Sequence, residues 1–129
     1  MRTINDNYII EMINIKLETT RAICDKIVDS NLTKLSDAAK IEFADIIELF
    51  AILMLEHAGE FPEDWSNEKF VDVYEHKLPI LLNQYERQNI KDILIAYVDF
   101  VGKALELPNY LEIKKGIKDR AQNSEIRTQ

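Results

Sequence analysis

Apolar residues return along the chain at steps of three and four, and no segment alternates in the manner of a strand. In the first segment Ile10, Ile13, Leu17, Thr20, Cys24 and Ile27 share one stripe of a long helix, which turns Cys24 toward the core. A second helix is predicted to start near Thr33 or Ser36, whose side-chain oxygens can accept from unpaired backbone N–H groups, with Asp37 favourable in the first turn. It runs to Gly59, a residue suited to the left-handed conformation that closes a helix, and His57 sits where positive charge suits the dipole. Ile41, Ala44, Ile47 and Met54 or Leu55 lie along one face, but the run "LFAILML" from Leu49 to Leu55 is apolar nearly all round. Such a helix is either central to a bundle or covered on one side by a second subunit, so a homodimer is one expectation.

The pattern breaks at "HAGEFPEDWSNEKF", residues 57 to 70, where the single tryptophan sits among turn residues and carboxylates. With Ser66 as the N-cap of a third helix, Trp65 is the residue before the cap and Phe70 the fourth helical residue. Apolar side chains at those two places pack together and fix the angle at which the chain enters the helix. Beside this staple stands a binding reading: aromatic residues flanked by acids also describe a partner-binding rim, which makes Phe61, Trp65 and, from the apolar run, Leu53 the candidate contact residues.

The third helix carries Phe70, Val71, Tyr74 and Leu78 inward until Pro79 removes a backbone donor and breaks it. Ile80, Leu81, Leu82 and Tyr85 are expected to form a short helix. Asn89 is expected to cap a strong helix with Ile90, Ile93, Leu94, Tyr97, Phe100 or Val101, Ala104 and Leu105 on one face, ended by Leu107 and Pro108. Asn109 followed by Glu112 resembles a capping box and opens a last helix bearing Leu111, Ile113 and Ile117. The expected fold is all-α, a compact bundle of about five to six helices. It forms a single domain over residues 1–121, with a long hairpin at 4–59, smaller helices at 66–121 and a disordered polar tail at 122–129.

Composition narrows this picture. A chain of 129 residues, 47% hydrophobic and 30% charged, can bury one core without a metal or a disulfide. The lone Cys24 permits no internal disulfide, and "MRTINDNYII" has no long apolar run before a cleavage site, so a cytoplasmic location without a signal peptide is expected. The longest apolar run is far shorter than the about 20 residues of a membrane span, and no membrane partner is expected. The net charge of −7 is uneven: −4 over residues 1–59, −5 over 60–110 and +2 over 111–129. An acidic body repels phosphate, so direct nucleic-acid binding would rest on a small patch, Lys114, Lys115, Lys118 and Arg120, that reads more simply as the solvated face of a terminal helix.

Motifs for chemistry are missing from the sequence. Glycines at 59, 102 and 116 are too scattered for a phosphate loop or a dinucleotide fingerprint, and no Gly-x-Ser-x-Gly elbow or cysteine nucleophile signature occurs. Bundles host metal pairs through Glu-x-x-His on facing helices. Here His57 precedes Glu60 in reversed order, Asp72 precedes His76 at i,i+4, and neither pair repeats, so no metal and no cofactor are expected.

Trp65-Ser66, Leu78-Pro79, Phe100-Val101-Gly102 and Leu107-Pro108-Asn109 together resemble a helical module of bacterial proteins, sometimes fused to short cysteine-rich zinc-binding segments. The resemblance spans residues 65–117 and rests on capping and packing residues. It implies a fold and no activity, since that family is functionally uncharacterised, and this chain lacks the cysteine-rich segment that would carry a zinc role. The leading expectation is a non-catalytic module that binds a partner protein or its own copy. The alternatives are a small acidic inhibitor or immunity-type protein that mimics nucleic acid toward a basic partner, and a small-molecule binder with a pocket lined by Tyr74, Tyr85, Tyr97 or His76.

Overall fold

The computed structural model describes residues 2–30, 35–107 and 109–118, with side chains from Tyr8 onward and excepting that of Tyr85. Among them are five α-helices and no strand: α1 Arg2–Asp29, α2 Asp37–Ala58, α3 Asn67–His76, α4 Gln84–Ala104 and α5 at 109–118, with single 3₁₀ turns at Pro62–Asp64 and Pro79–Leu81. The expected tail at 122–129 and the Thr33 cap lie outside the described residues. No helix among those described is long and apolar enough to cross a membrane.

The helix ends follow local chemistry. Ser36, in extended conformation, accepts from the Ala39 N–H at 3.1 Å and starts α2. Gly59 closes it at φ 67°, its N–H returning to the Leu55 carbonyl at 3.0 Å. Ser66 does precede α3, but its side chain caps nothing: the Glu60 carboxylate instead accepts from both the Ser66 N–H (3.0 Å) and its hydroxyl (3.0 and 3.2 Å). Donating to Glu60 turns the hydroxyl away from the helix N–H groups from which a capping oxygen would accept.

Two helix starts differ from expectation. Residues 80–85 do not form a separate helix, because Asn83 and Glu86 make a reciprocal capping box at 2.9 Å in each direction and start α4 at Gln84. Asn89 therefore lies inside α4 and reaches across to Glu42 at 3.1 Å. Asn109 is already helical, and its amide donates to the Trp65 carbonyl at 2.6 Å instead of capping α5. α4 ends at Ala104, before Leu107, and the chain turns through Glu106 in the left-handed region at φ 53°.

α2 is the central helix, packed against α1, α3 and α4. Phe43, Ile46, Ile47, Phe50, Ala51, Leu53 and Met54 are all buried within one chain, so its apolar run needs no second subunit to cover it. Ile41, expected on the inner face, is 80% exposed. On α1 the stripe is buried at Thr20, Cys24 and Ile27, half-buried at Ile13 and Leu17, and open at Ile10. The register explains this. Arg21 pairs with Asp45 and Glu48 (2.9 Å each) across the antiparallel hairpin, which carried forward brings the end of α2 roughly opposite Ile10. Earlier turns of α1 have no α2 beside them.

On α5 Ile113 and Ile117 are buried as expected, and one inward assignment shifts by a position, from Leu111 to Tyr110. Ala104, Leu105 and Leu111 are exposed, whereas Tyr110, Ile113 and Ile117 form the buried face of α5. Ile80 and Leu81 are exposed too, on the turn that Pro79 opens.

Candidate functional site

The interior is organised on Trp65, which is fully buried. Its ring meets Phe50 edge-on (centroids 5.3 Å), Phe70 at 5.6 Å, Tyr97 at 5.7 Å, and stacks on Tyr110 at 6.1 Å. The contact with Phe70 is the expected staple, and the other three tie the turn to α2, α4 and α5. Asn109 holds the Trp65 carbonyl, and the Tyr110 hydroxyl donates to the Pro62 carbonyl. Burial pushes the Tyr97 and Tyr110 hydroxyls above the ordinary phenol range.

The three candidate contact residues therefore separate. Trp65 and Leu53, 0% and 6% exposed, point into the core and cannot form a rim. Phe61 is half-buried, with the Lys16 ammonium 5.4 Å from its ring centroid, while Lys16 also pairs with Glu63. Burial pushes the Glu63 carboxyl up, but the hydrogen bond and charge of Lys16 win and hold it below the usual carboxylate range. This corner is stitched to α1 by the protein's own side chains.

The tyrosines and histidine proposed to line a pocket do not converge. Tyr97 is buried, Tyr74 half-buried, His76 exposed beside Glu75, and the Tyr85 side chain lies outside the described residues. A cavity occurs elsewhere, between the C-terminal half of α4 and α5, with a volume of ≈ 420 Å³ and mainly apolar walls including Val98, Leu107, Tyr110 and Leu111. Nothing in the spacing of these residues announces it, because it depends on how α5 folds back on α4.

Its polar edge is a triad in which Asp99 receives Lys114 at 2.6 Å and Lys103 at 3.3 Å. The Lys114 hydrogen bond, outweighing burial, holds the Asp99 carboxyl below its ordinary 3.8. The unfolded chain thus takes up this proton more readily than the folded one. The contribution is complete above about pH 4 and is lost as the pH falls through the lower folded value. Asp99→Asn is accordingly expected to lower the urea-unfolding free energy at neutral pH but to match the wild type at about pH 2. An equal deficit at both pH values would locate the effect elsewhere.

Other chemistry-bearing groups are apart. Cys24 is buried, and its thiol is pushed up to about 12 by burial and then by Asp25, so it stays protonated at neutral pH. Glu60 is engaged with Ser66, and His57 is exposed at the end of α2. Among the described residues no three His, Cys, Asp or Glu side chains gather as a metal site. Of the basic patch, Lys114 is committed to Asp99, Lys115 and Lys118 are exposed, and Arg120 lies outside the described residues.

The remaining feature is α1 itself. Of the nine large hydrophobic side chains exposed among the described residues, Tyr8, Ile9, Ile10 and Ile15 fall within eight consecutive residues of this one helix. No family model, no curated protein and no solved structure matches the chain.

Proposed function

We propose that the protein is a non-catalytic protein–protein interaction module whose docking element is the N-terminal half of α1. The observation that carries this reading is the concentration of exposed apolar side chains there: Tyr8 67%, Ile9 47%, Ile10 56% and Ile15 56%. Single exposed hydrophobes need no explanation, but four within eight residues of one helix mark an interaction surface. A regular helix also draws most of its stability from packing, and this one runs beyond the end of its intrachain partner. The test is affinity capture by the full chain and by a Tyr8→Lys/Ile10→Lys/Ile15→Lys variant, with folding verified by circular dichroism. A protein retained at high salt by the wild type and lost by the variant supports the module. Identical capture by both sinks it.

A second reading, a small-molecule binder, is favoured by the cavity between α4 and α5, whose ≈ 420 Å³ falls in the range of ligand pockets. It takes an apolar compound, with the lysine pair at the edge. Leu111→Lys should then abolish binding of an apolar fluorescent dye that the α1 variant still binds.

A further inference from the structure

α1 has two apolar faces, and only one of them belongs to the core. Opposite Thr20, Cys24 and Ile27 lie Tyr8, Met12, Ile15, Thr19 and Ala22, separated by steps of four, three, four and three. That is heptad spacing, the seam on which one helix packs against another. All five are exposed except Met12, which is half-buried. The Thr19 hydroxyl donates to the Ile15 carbonyl at 2.9 Å, which satisfies its donor within the helix. The seam is uncharged over four turns until Lys26, which is exposed at its far end.

Charge along the seam is one-sided. Glu11, Glu18 and Asp25 recur every seven residues on its flank, all exposed and none ion-paired among the described residues. The basic residues of the same stretch are taken by the chain itself: Lys16 by Glu63, and Arg21 by Asp45 and Glu48. The unbalanced charge beside the apolar stripe is therefore negative.

We infer that this outer seam of α1 docks a basic amphipathic helix of a partner protein, with apolar anchors on Tyr8, Met12 and Ile15 and Lys or Arg side chains against Glu11, Glu18 and Asp25. The inference rests on the interaction-module reading and names the chemistry of its partner. A second copy of this chain fits the seam less well. In an antiparallel pair the acidic row meets itself, and in a parallel pair the lysine that would face Glu11, Lys16, is already bound to Glu63.

The test uses the full chain and two synthetic helical peptides of about four heptads, both with Leu at the seam positions, one with Lys and the other with Glu on the flanks. Fluorescence anisotropy at low salt should show binding of the Lys peptide only. Ile15→Lys should weaken it about tenfold or more, the equivalent of losing one aliphatic anchor. Ile41→Lys, 80% exposed on α2 and away from the seam, should leave it unchanged. The triple reversal Glu11→Lys/Glu18→Lys/Asp25→Lys should switch the preference to the Glu peptide, with every variant's fold verified by thermal melting. Failure of the Lys peptide to bind, equal binding of both peptides, or indifference to Ile15→Lys overturns the inference. A partner captured through α1 in the same preparations would leave the module reading standing. Sedimentation adds one decisive outcome: a wild-type dimer that Ile15→Lys converts to monomer would place a second copy on the seam and overturn the basic-helix assignment.

Discussion

Trp65→Ala is expected to destabilise the fold by about 3 to 5 kcal/mol, the cost of emptying a fully buried aromatic site. For a chain of this length that is a fall in melting temperature of more than about 10 °C. The upper part of the range follows from position: the ring is in contact with aromatic residues of α2, α3, α4 and α5 at once, so no single helix can shift to fill the space. Trp65→Phe should cost distinctly less. The indole Nε1–H is buried without a hydrogen-bond acceptor among the described residues, and phenylalanine removes that donor together with part of the volume. Urea denaturation of the two variants checks both expectations. A near-neutral Trp65→Ala would mean that the ring is not enclosed, and would restore Trp65 as a surface contact.

Gly102→Val is expected to cost about 2 to 3 kcal/mol through overpacking, despite the helix-propensity gain of losing a glycine. A Cβ at Gly102 would come within 2.9 Å of the Tyr110 Cβ, an atom fixed to the backbone of α5. Relief requires α5 to move away from α4, which would also disturb the stack of Tyr110 on Trp65. Gly116→Ala provides the contrast. Its Cβ also meets an atom at 2.9 Å, but that atom is the end of the Asn67 side chain, which can rotate aside. The pair of variants, compared by thermal melting, should therefore separate by at least about 1 kcal/mol. Equal effects would show that α5 yields as easily as a side chain does.

Both predictions concern residues between 65 and 117, and both assign them to packing. That is consistent with a module whose binding surface lies elsewhere. It also explains why the aromatic corner attracts attention in the sequence: a tryptophan among carboxylates looks like a rim until α5 is folded over it.

The local signals that proved readable act within a few residues. Helical periodicity, the Ser36 and Gly59 caps, the Pro79 break and the Trp65–Phe70 staple all depend on neighbours one turn away. The Asn83–Glu86 capping box has the same local character, Asn followed three residues later by Glu, and it starts α4 at Gln84, ahead of the Asn89 cap that the spacing predicts. Where apolar positions crowd, as at Leu111 against Tyr110, spacing alone cannot choose the buried one, because either fits a helical stripe.

By itself, then, the sequence determined that this chain is helical, where α2 starts and stops, and that α2 must be covered on nearly every side. Which neighbours cover α2 was decided only by the tertiary structure, since burial depends on elements brought together from distant parts of the chain. The same holds for the candidate site. The heptad at Tyr8, Met12 and Ile15 is present in the sequence, but its meaning depends on the antiparallel register that ends α2 near Ile10 and on the ion pairs that commit Lys16 and Arg21 inward. An apolar stripe becomes a docking surface only when the fold leaves it without a partner.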